Sequence, residues 1–135
     1  MAKASGLGWT TLSVDDSGGT PVVIKNDVTN LQFATPRAVQ DVTGIDKSAI
    51  ERLLLLADFS VTLNGVFNSA TSHTVFKTVP STSVARTTTL TFNSQSFSTA
   101  PEVLYTDYPL TRADSGELTW SVPGVLADGA VPTWA

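Results

Sequence analysis

Cysteine is absent from the 135 residues of this sequence. Its absence excludes disulfide bonds, a zinc site built on thiolates and a thiol nucleophile. Histidine occurs once, at His73, so two imidazoles cannot share a metal ion. We therefore expect no metal and no other cofactor, and we expect His73 to be an ordinary surface histidine.

Sequence motifs of catalysis are missing as well. A Ser-His-Asp arrangement would need His73 as its base, and no G-x-S-x-G elbow occurs. The DDSGG stretch at 15–19 has neither the spacing of a calcium loop nor a phosphate-binding glycine pattern. Turn formation explains Asp15, Asp16, Gly18 and Gly19 better, and the sequence predicts no enzyme.

Charge is also scarce. Charged residues make up 15% of the chain, its formal net charge is -4 and its pI is near 4.6. Proteins grip nucleic acid with Lys and Arg side chains that neutralise phosphates. An acidic chain is therefore poorly suited to holding DNA, although it could enclose DNA without binding it.

Long apolar runs are missing too. No stretch approaches the ~18 consecutive apolar residues of a membrane-spanning helix. The N-terminal MAKASGLGWTTLS lacks the apolar region of a secretion signal. We expect a soluble protein with no membrane partner, and the length fits one domain, residues 1–135.

Hydroxylated side chains supply the polarity that charge does not. The sequence has 20 Thr and 14 Ser, and Thr favours the half-buried surface of a strand. Polar and apolar residues alternate in several stretches separated by turn residues. We predict a mainly β fold, a β-sandwich or partial barrel of two packed antiparallel sheets. The predicted strands are 7–14, with a bulge near Thr10 or Thr11, then 22–24, 29–35, 59–67, 84–92, 103–111 and 117–122.

One stretch, SAIERLLLLAD at 48–58, departs from this pattern. Ser48 and Glu51 have the spacing of a capping box, and the sequence predicts a flanking α-helix at about 47–57. Its core stripe would consist of Ile50, Leu53, Leu54 and Ala57. Leu55 and Leu56 would point away from that stripe, so either the connector 36–45 or a second subunit must cover them.

The C-terminal residues 123–135 raise the same question. Proline and glycine prevent a long strand or helix there, yet Val131 and Trp134 are apolar. An apolar extended terminus is predicted to dock on another surface, while Trp120 is expected in the core and Trp9 beside the bulge. We predict an extended arm at 123–135 and subunit contacts through Leu55, Leu56, Val131 and Trp134. The segment 68–83 is left open between a helical turn and an extended loop.

The predicted polar strand faces contain almost no cations. Lysine and arginine occur at chain ends, in loops or on the predicted helix: Lys3, Lys25, Arg37, Lys47, Arg52, Lys77, Arg86 and Arg112. The polar faces carry Ser60, Thr62, Asn64, Thr87, Thr89, Thr91, Glu117 and Thr119. These faces are either plain solvated surface or a surface that must not adhere to a polyanion.

Three stretches of the sequence carry a family resemblance: KASGLGWTTLSVDD, DVTGIDKSAIERLLLLADFSVTLNGVFN and TRADSGELTWSVPGVLADGAVPTW. Together they resemble the major tail protein, the tail tube subunit of long-tailed bacteriophages, and most closely those of phages infecting actinobacteria. The resemblance implies a structural virion protein that forms hexameric rings, which stack into a hollow tube for genome ejection.

The resemblance also implies partners and a location. The partners are further copies of the chain and other tail proteins, namely the tape measure, tail terminator and distal tail proteins. DNA passes through the lumen without specific binding, and the eight polar residues from Ser60 to Thr119 named above are the lumen-facing candidates. The protein would be made in the host cytoplasm and end in the virion tail. Two alternatives remain: a monomeric β-sandwich binding module for capsid decoration or host binding, and a tube subunit of a contractile injection machine.

Overall fold

A computed structural model describes residues 5–7, 9–97 and 100–134 of the chain. The described residues form eleven β-strands and one short helix. In chain order these are β1 (Trp9–Asp15), β2 (Pro21–Val23), β3 (Val28–Ala34), β4 (Arg37–Asp41), β5 (Arg52–Ala57), β6 (Ser60–Val66), α1 (Ser72–Phe76), β7 (Arg86–Phe92), β8 (Gln95–Ser96), β9 (Glu102–Tyr105), β10 (Leu110–Arg112) and β11 (Leu118–Leu126).

Nine of the strands belong to one antiparallel sheet. Its main path runs β2-β1-β7-β9-β11-β6-β3, with β8 paired to β7 and β10 paired to β11. Strands β4 and β5 form a separate two-stranded sheet. The large sheet curls. Its curling is evident from the core, where residues of β1 and β7 pack with residues of β6 and β11, which lie further along the path.

The core is a mixed aliphatic and aromatic cluster between the two halves of the curled sheet. Strand alternation directs the buried side chains inward, so Val61 and Leu63 face the core while Thr62 faces away. Trp120 is 2% exposed, and its ring lies 5.2 Å from that of Phe76 on α1. Helix α1 therefore closes one part of the core that strands leave open.

A glycine allows the core tryptophan to lie close to the backbone. A Cβ atom at Gly65 would come within 2.5 Å of both Trp120 Cζ2 and the Asp27 carbonyl oxygen. The indole Nε1 donates a hydrogen bond to the Val66 carbonyl oxygen at 3.0 Å. Gly65 is thus required where strand and indole approach each other, and the buried N–H has its acceptor.

The fold confirms the predicted class and much of the strand pattern. The chain is mainly β and antiparallel, and its packed layers are two halves of one continuous sheet, with no closed barrel among the described residues. The predicted hairpin at the N-terminus is β1–β2, and the register shift between Trp9 and Thr11 is the predicted bulge. Asp16 Oδ1 accepts hydrogen bonds from Gly18 N and Thr20 N, which confirms the turn.

The helix predicted at 47–57 is wrong. Residues 52–57 form strand β5, which pairs with β4, and residues 47–51 belong to the loop between these strands. A short helix is marginal without tertiary packing, whereas the connector at 37–41 offers Arg52–Ala57 a backbone partner that is interrupted only by a bulge at Leu55 and Leu56. A continuous apolar run fits either a helix or a strand by periodicity, and the partner strand decides between them.

One open segment is settled, and two further boundaries differ from the predicted ones. The open segment 68–83 contains α1, and the predicted strand 103–111 divides into β9 and β10. The predicted arm begins too early, because β11 continues through Pro123 to Leu126. The Pro123 carbonyl oxygen accepts a hydrogen bond from Thr106 N, and Leu126 N donates to Phe59 O, so the sheet holds this part of the chain. Ala135 of the predicted arm, Lys3 and the other residues of 1–4 lie outside the described residues.

Candidate assembly surfaces

The β4–β5 hairpin, residues 37–57, exposes more apolar surface than any other element described. Eight of its aliphatic residues are more than a third exposed: Val39, Val42, Ile45, Ile50, Leu53, Leu54, Leu55 and Leu56. Of the described elements, β4 and β5 make their main contacts with each other. The predicted interface residues Leu55 and Leu56 lie here, 42% and 90% exposed.

The hairpin is apolar on both faces. Val39 pairs with Leu54 and Gln40 pairs with Leu53, so strand alternation places Leu54 on one face and Leu53 on the other. The register shift between Arg37 and Val39 is a bulge in β5, which leaves Leu55 and Leu56 together opposite Ala38, on the face of Leu53. Exposed apolar surface of this extent on a soluble chain marks an interaction site. Two apolar faces give the hairpin two surfaces that a partner can cover.

Polar contacts order the hairpin at its base and near its tip. Arg37 Nε donates to the Leu55 carbonyl oxygen at 3.0 Å. Near the tip, Thr43 Oγ1 accepts a hydrogen bond from Glu51 N at 2.9 Å and donates to Asp41 Oδ1 at 2.6 Å. Hydrogen bonds from Thr43 lower the pKa of Asp41. The hairpin therefore has an ordered shape before any partner covers it.

A second surface is the outer face of strands β3, β6 and β11, which we call the neutral face. Its cross-strand rows join Asn30, Asn64 and Ser121, and Gln32, Thr62 and Pro123. The third row is Ala34, Ser60 and Val125, and Thr119 lies opposite Val66. None of these described residues is charged, so the face offers nothing that could form an ion pair with phosphate.

The predicted lumen-facing residues divide between two surfaces. Ser60, Thr62, Asn64 and Thr119 lie on the neutral face, while Thr87, Thr89 and Thr91 lie on the outer face of β7. Glu117 precedes β11 in an exposed turn and accepts a hydrogen bond from Ser115 Oγ. Because the two halves of the sheet pack core to core, their outer faces point away from each other. One channel cannot be lined by both sets in the same subunit.

The outer face of β7 is acidic rather than neutral. Thr87 Oγ1 donates a hydrogen bond to Glu102 Oε1 on β9, and Asp15 on β1 lies close enough to interact with both residues. Burial, and next the negative charge of Glu102, raise the pKa of Asp15. This face therefore already carries two carboxylates that repel each other.

The C-terminal segment lies partly on its own subunit. Trp134 is 53% exposed, and its ring stacks on that of Phe97 at 4.2 Å and lies 5.9 Å from that of Phe33. Phe97 and Trp134 also form an isolated antiparallel bridge, so the chain provides half of the cover for Trp134 that a second subunit was expected to give. Val131 remains 59% exposed, and its contact with another subunit stays a prediction.

An open apolar cavity lies beside Trp134. It has a volume of 260 Å³ and is walled by Trp9, Phe33, Leu90, Phe92 and Trp134, with the amides of Asn93 and Gln95 at its rim. Asn93 and Ser94 both have positive φ, 50° and 65°, as the two-residue turn between β7 and β8 requires. Sequence reasoning missed this cavity because its walls come from four separate parts of the chain.

Sequence reasoning also missed a buried cation. Arg86 is 2% exposed, and its guanidinium donates to the Asp15 carbonyl oxygen at 3.2 Å and to Thr78 Oγ1 at 2.9 Å. Desolvation lowers its pKa, against the opposing effect of Asp16, Tyr105 and Asp15. Arg86 joins the β1–β2 turn to the loop after α1 and presents no charge to the surface.

Helix α1 is fixed to the sheet by Asp27. The carboxylate, 6% exposed, accepts hydrogen bonds from Thr71 Oγ1, from Ser72 N at 3.2 Å and from Asn68 Nδ2 at 3.1 Å. Burial raises the pKa of Asp27, but the hydrogen bonds outweigh burial and the net shift is downward. His73, on the same helix, is half-buried between Phe67 and Tyr108, so it is not an ordinary surface histidine.

The lowered pKa of Asp27 gives a prediction for stability against pH. A folded-state pKa below the ordinary value of 3.8 means that the contribution of Asp27 is present above about pH 4 and is lost as the pH falls through the folded value. Asp27→Asn should cost about 2–3 kcal/mol at pH 7, since an amide cannot accept all three hydrogen bonds. Urea unfolding at pH 7 and below pH 4 measures both effects, with Asp107→Asn as the exposed control. A cost that is equal at both pH values would contradict this account.

The described residues contain no group of three or more His, Asp or Glu side chains placed to hold a metal ion. Across 5–7, 9–97 and 100–134, no helix is long and apolar enough to cross a membrane.

Comparison with known proteins places the fold. No family model matches the sequence, and no curated protein matches it. Solved structures match over nearly the whole chain, among them two chains from gene transfer agent particles. A chain from the tail of an empty gene transfer agent particle, computed with helical refinement and C6 symmetry, is 15% identical, with a TM-score of 0.70 and 98% of each chain covered. A chain from the virion of a native gene transfer agent particle is 13% identical, with a TM-score of 0.68 and coverage of 97% of this chain and 99% of that one. The protein therefore has the fold of chains found in the tail and in the virion of gene transfer agent particles.

Proposed function

We propose that this protein is a structural subunit of a phage-type tail tube, located in the virion tail, and that it is not an enzyme. Copies assemble into rings, hexameric by analogy with the C6 symmetry of the similar particle, and the rings stack into a hollow tube. The observation that carries the proposal is the β4–β5 hairpin, where eight aliphatic residues stay more than a third exposed to solvent among the described residues of the subunit.

Energetics favour assembly over an isolated subunit. Each aliphatic side chain left in water forgoes ~1.5–3 kcal/mol of burial. A standard interface uses about 20–30 residues a side, which is the size of the hairpin alone. Contacts between unlike surfaces close into rings when the rotation closes and continue as helical assemblies when it does not. One hairpin with two apolar faces suits a subunit that needs contacts of both kinds.

The neutral face is our proposed lining of the channel. It spans three adjacent strands and offers hydroxyl and amide groups without a cation. Since DNA adheres to proteins through phosphate contacts with Lys and Arg, such a face lets DNA pass without holding it. The acidic face of β7 is then directed elsewhere, and other tail proteins, among them the tape measure, terminator and distal tail proteins, meet the ends of the tube.

Electron microscopy of the purified protein tests this function. We expect negative stain to show rings or tubes, and helical reconstruction to place Thr62 and Asn64 toward the axis. A species that stays monomeric up to millimolar concentration would contradict the tube and favour a binding module. Tubes with β7 toward the axis would retain the function and overturn the assignment of the lining.

A further inference from the structure

We propose that the tip of the hairpin of one subunit, with Ile45 leading, docks in the aromatic cavity of a second copy beside it. The aromatic cavity is the 260 Å³ space between Trp9, Phe33, Leu90, Phe92 and Trp134. This inference rests on the proposed function and names the two surfaces that meet when subunits associate.

The chemistry of the cavity selects an apolar occupant. Its walls are aromatic or aliphatic and its rim consists of neutral amides, so a charged segment would find no partner there. An apolar cavity of about 150 Å³ in another protein accommodates a benzene molecule. A space of 260 Å³ is therefore large enough for an aliphatic side chain of Ile size.

The hairpin provides the matching group. Ile45 is 108% exposed, the highest value of any described large hydrophobic residue. It lies in the loop of residues 42–51 between β4 and β5, and the hydrogen bonds of Thr43 with Asp41 and Glu51 hold that loop in shape. Such order reduces the conformational entropy lost on docking.

The position of the cavity directs the hairpin to another copy. Phe33 lines the cavity and lies four residues before Arg37, the first residue of β4. The cavity is therefore at the base of its own hairpin, and the tip is the part of the hairpin furthest along the chain from it. Five extended residues of β4 alone span about 16 Å, so the tip reaches beyond the base toward a neighbouring subunit.

The contact joins two different surfaces, one from each copy. Each subunit offers one tip and one cavity, so every copy can bind one neighbour at each surface. Such head-to-tail contacts form a ring when the rotation between copies closes. Trp134 stacks on Phe97 and forms one wall of the aromatic cavity. It would then contribute to the subunit contact by shaping that cavity.

The absence of cysteine makes a direct test possible. Two single variants, Ile45→Cys at the tip and Gln95→Cys at the rim, are mixed under mild oxidation, and Ile45→Cys with Ser83→Cys is the matched control. All three replaced side chains are exposed, so the variants keep the core intact. A disulfide forms only when the two Cα atoms come within about 7 Å.

We expect a disulfide-linked dimer from the Ile45–Gln95 mixture, formed roughly a hundredfold faster than from the control, because docked groups have effective concentrations in the millimolar range. Equal yields from the two mixtures while tubes form would overturn the docking and leave the proposed function standing. Wild-type protein without rings or tubes, together with equal yields, would overturn both. A linked Ile45–Gln95 dimer in the absence of tubes would support the docking and contradict the tube.

Discussion

Replacing Leu54 and Leu56 together by glutamate is expected to abolish assembly and to leave the subunit folded. Leu54 lies on one face of the β4–β5 hairpin and Leu56 on the other, and they are 60% and 90% exposed in the subunit. Their loss from an interface removes ~3–6 kcal/mol per contact, at ~1.5–3 kcal/mol for each buried leucine. That loss weakens association by at least two orders of magnitude, since 1.4 kcal/mol is about a tenfold change. Sedimentation velocity and negative-stain microscopy measure it.

A second double variant tests one face of the hairpin alone. Leu53→Glu with Leu55→Glu changes only the face that carries both of these residues, and a variant that forms rings but no tubes would assign that face to the contact between rings. Ser83→Glu adds one negative charge at an exposed loop and is the control for charge. Far-ultraviolet circular dichroism should match the wild type for all three, because exposed substitutions usually change stability by about 0.5 kcal/mol or less. Normal tubes from both double variants would show that the hairpin is not the interface.

Trp120→Ala is expected to cause the largest loss of stability of any single tryptophan change. The side chain is 2% exposed, packs on Phe76 and donates its Nε1–H to the Val66 carbonyl oxygen. Truncating a buried tryptophan to alanine costs about 3–5 kcal/mol. A domain of this kind has ~5–15 kcal/mol of stability in total, so the variant approaches the unfolding threshold. Urea denaturation followed by circular dichroism measures the change.

Trp134→Ala is the matched control for this prediction. The same side chain is removed, but Trp134 is 53% exposed, so the loss is mainly that of its stacking on Phe97, about 1 kcal/mol. The ratio of the two losses tests the placement of the core. Similar losses for Trp120 and Trp134 would mean that the C-terminal ring contributes to the core as fully as the central one does.

Local alternation was sufficient to predict several strands. Phe59, Val61 and Leu63 have the period of two that a half-buried strand requires, and the structure buries each of them. The turn at DDSGG and the bulge near Trp9 were also readable, because both depend on residues adjacent in the chain. These features depend on backbone preferences and on side chains a few residues apart.

The helix predicted for the run LLLL is wrong because the structure of this run depends on a segment that is distant in the chain. A capping box and four leucines fit a helix locally, and only the pairing of Arg52–Ala57 with Arg37–Asp41 makes the segment a strand. The conclusion about surplus apolar surface nevertheless held, since Leu55 and Leu56 remain exposed in the strand as well. Excess hydrophobicity is a property of composition, whereas its geometry depends on a partner segment.

The sequence by itself determined the class of the protein: mainly β, poor in charge, without cysteine, with more apolar surface near residues 53–56 than one subunit covers. Only the tertiary structure decided that this surface is a two-faced hairpin, that the polar strand faces point in two directions, and that an aromatic cavity lies beside Trp134. The physical reason is that composition and alternation are local, whereas strand pairing, curling of the sheet and the walls of a cavity join residues far apart in the chain.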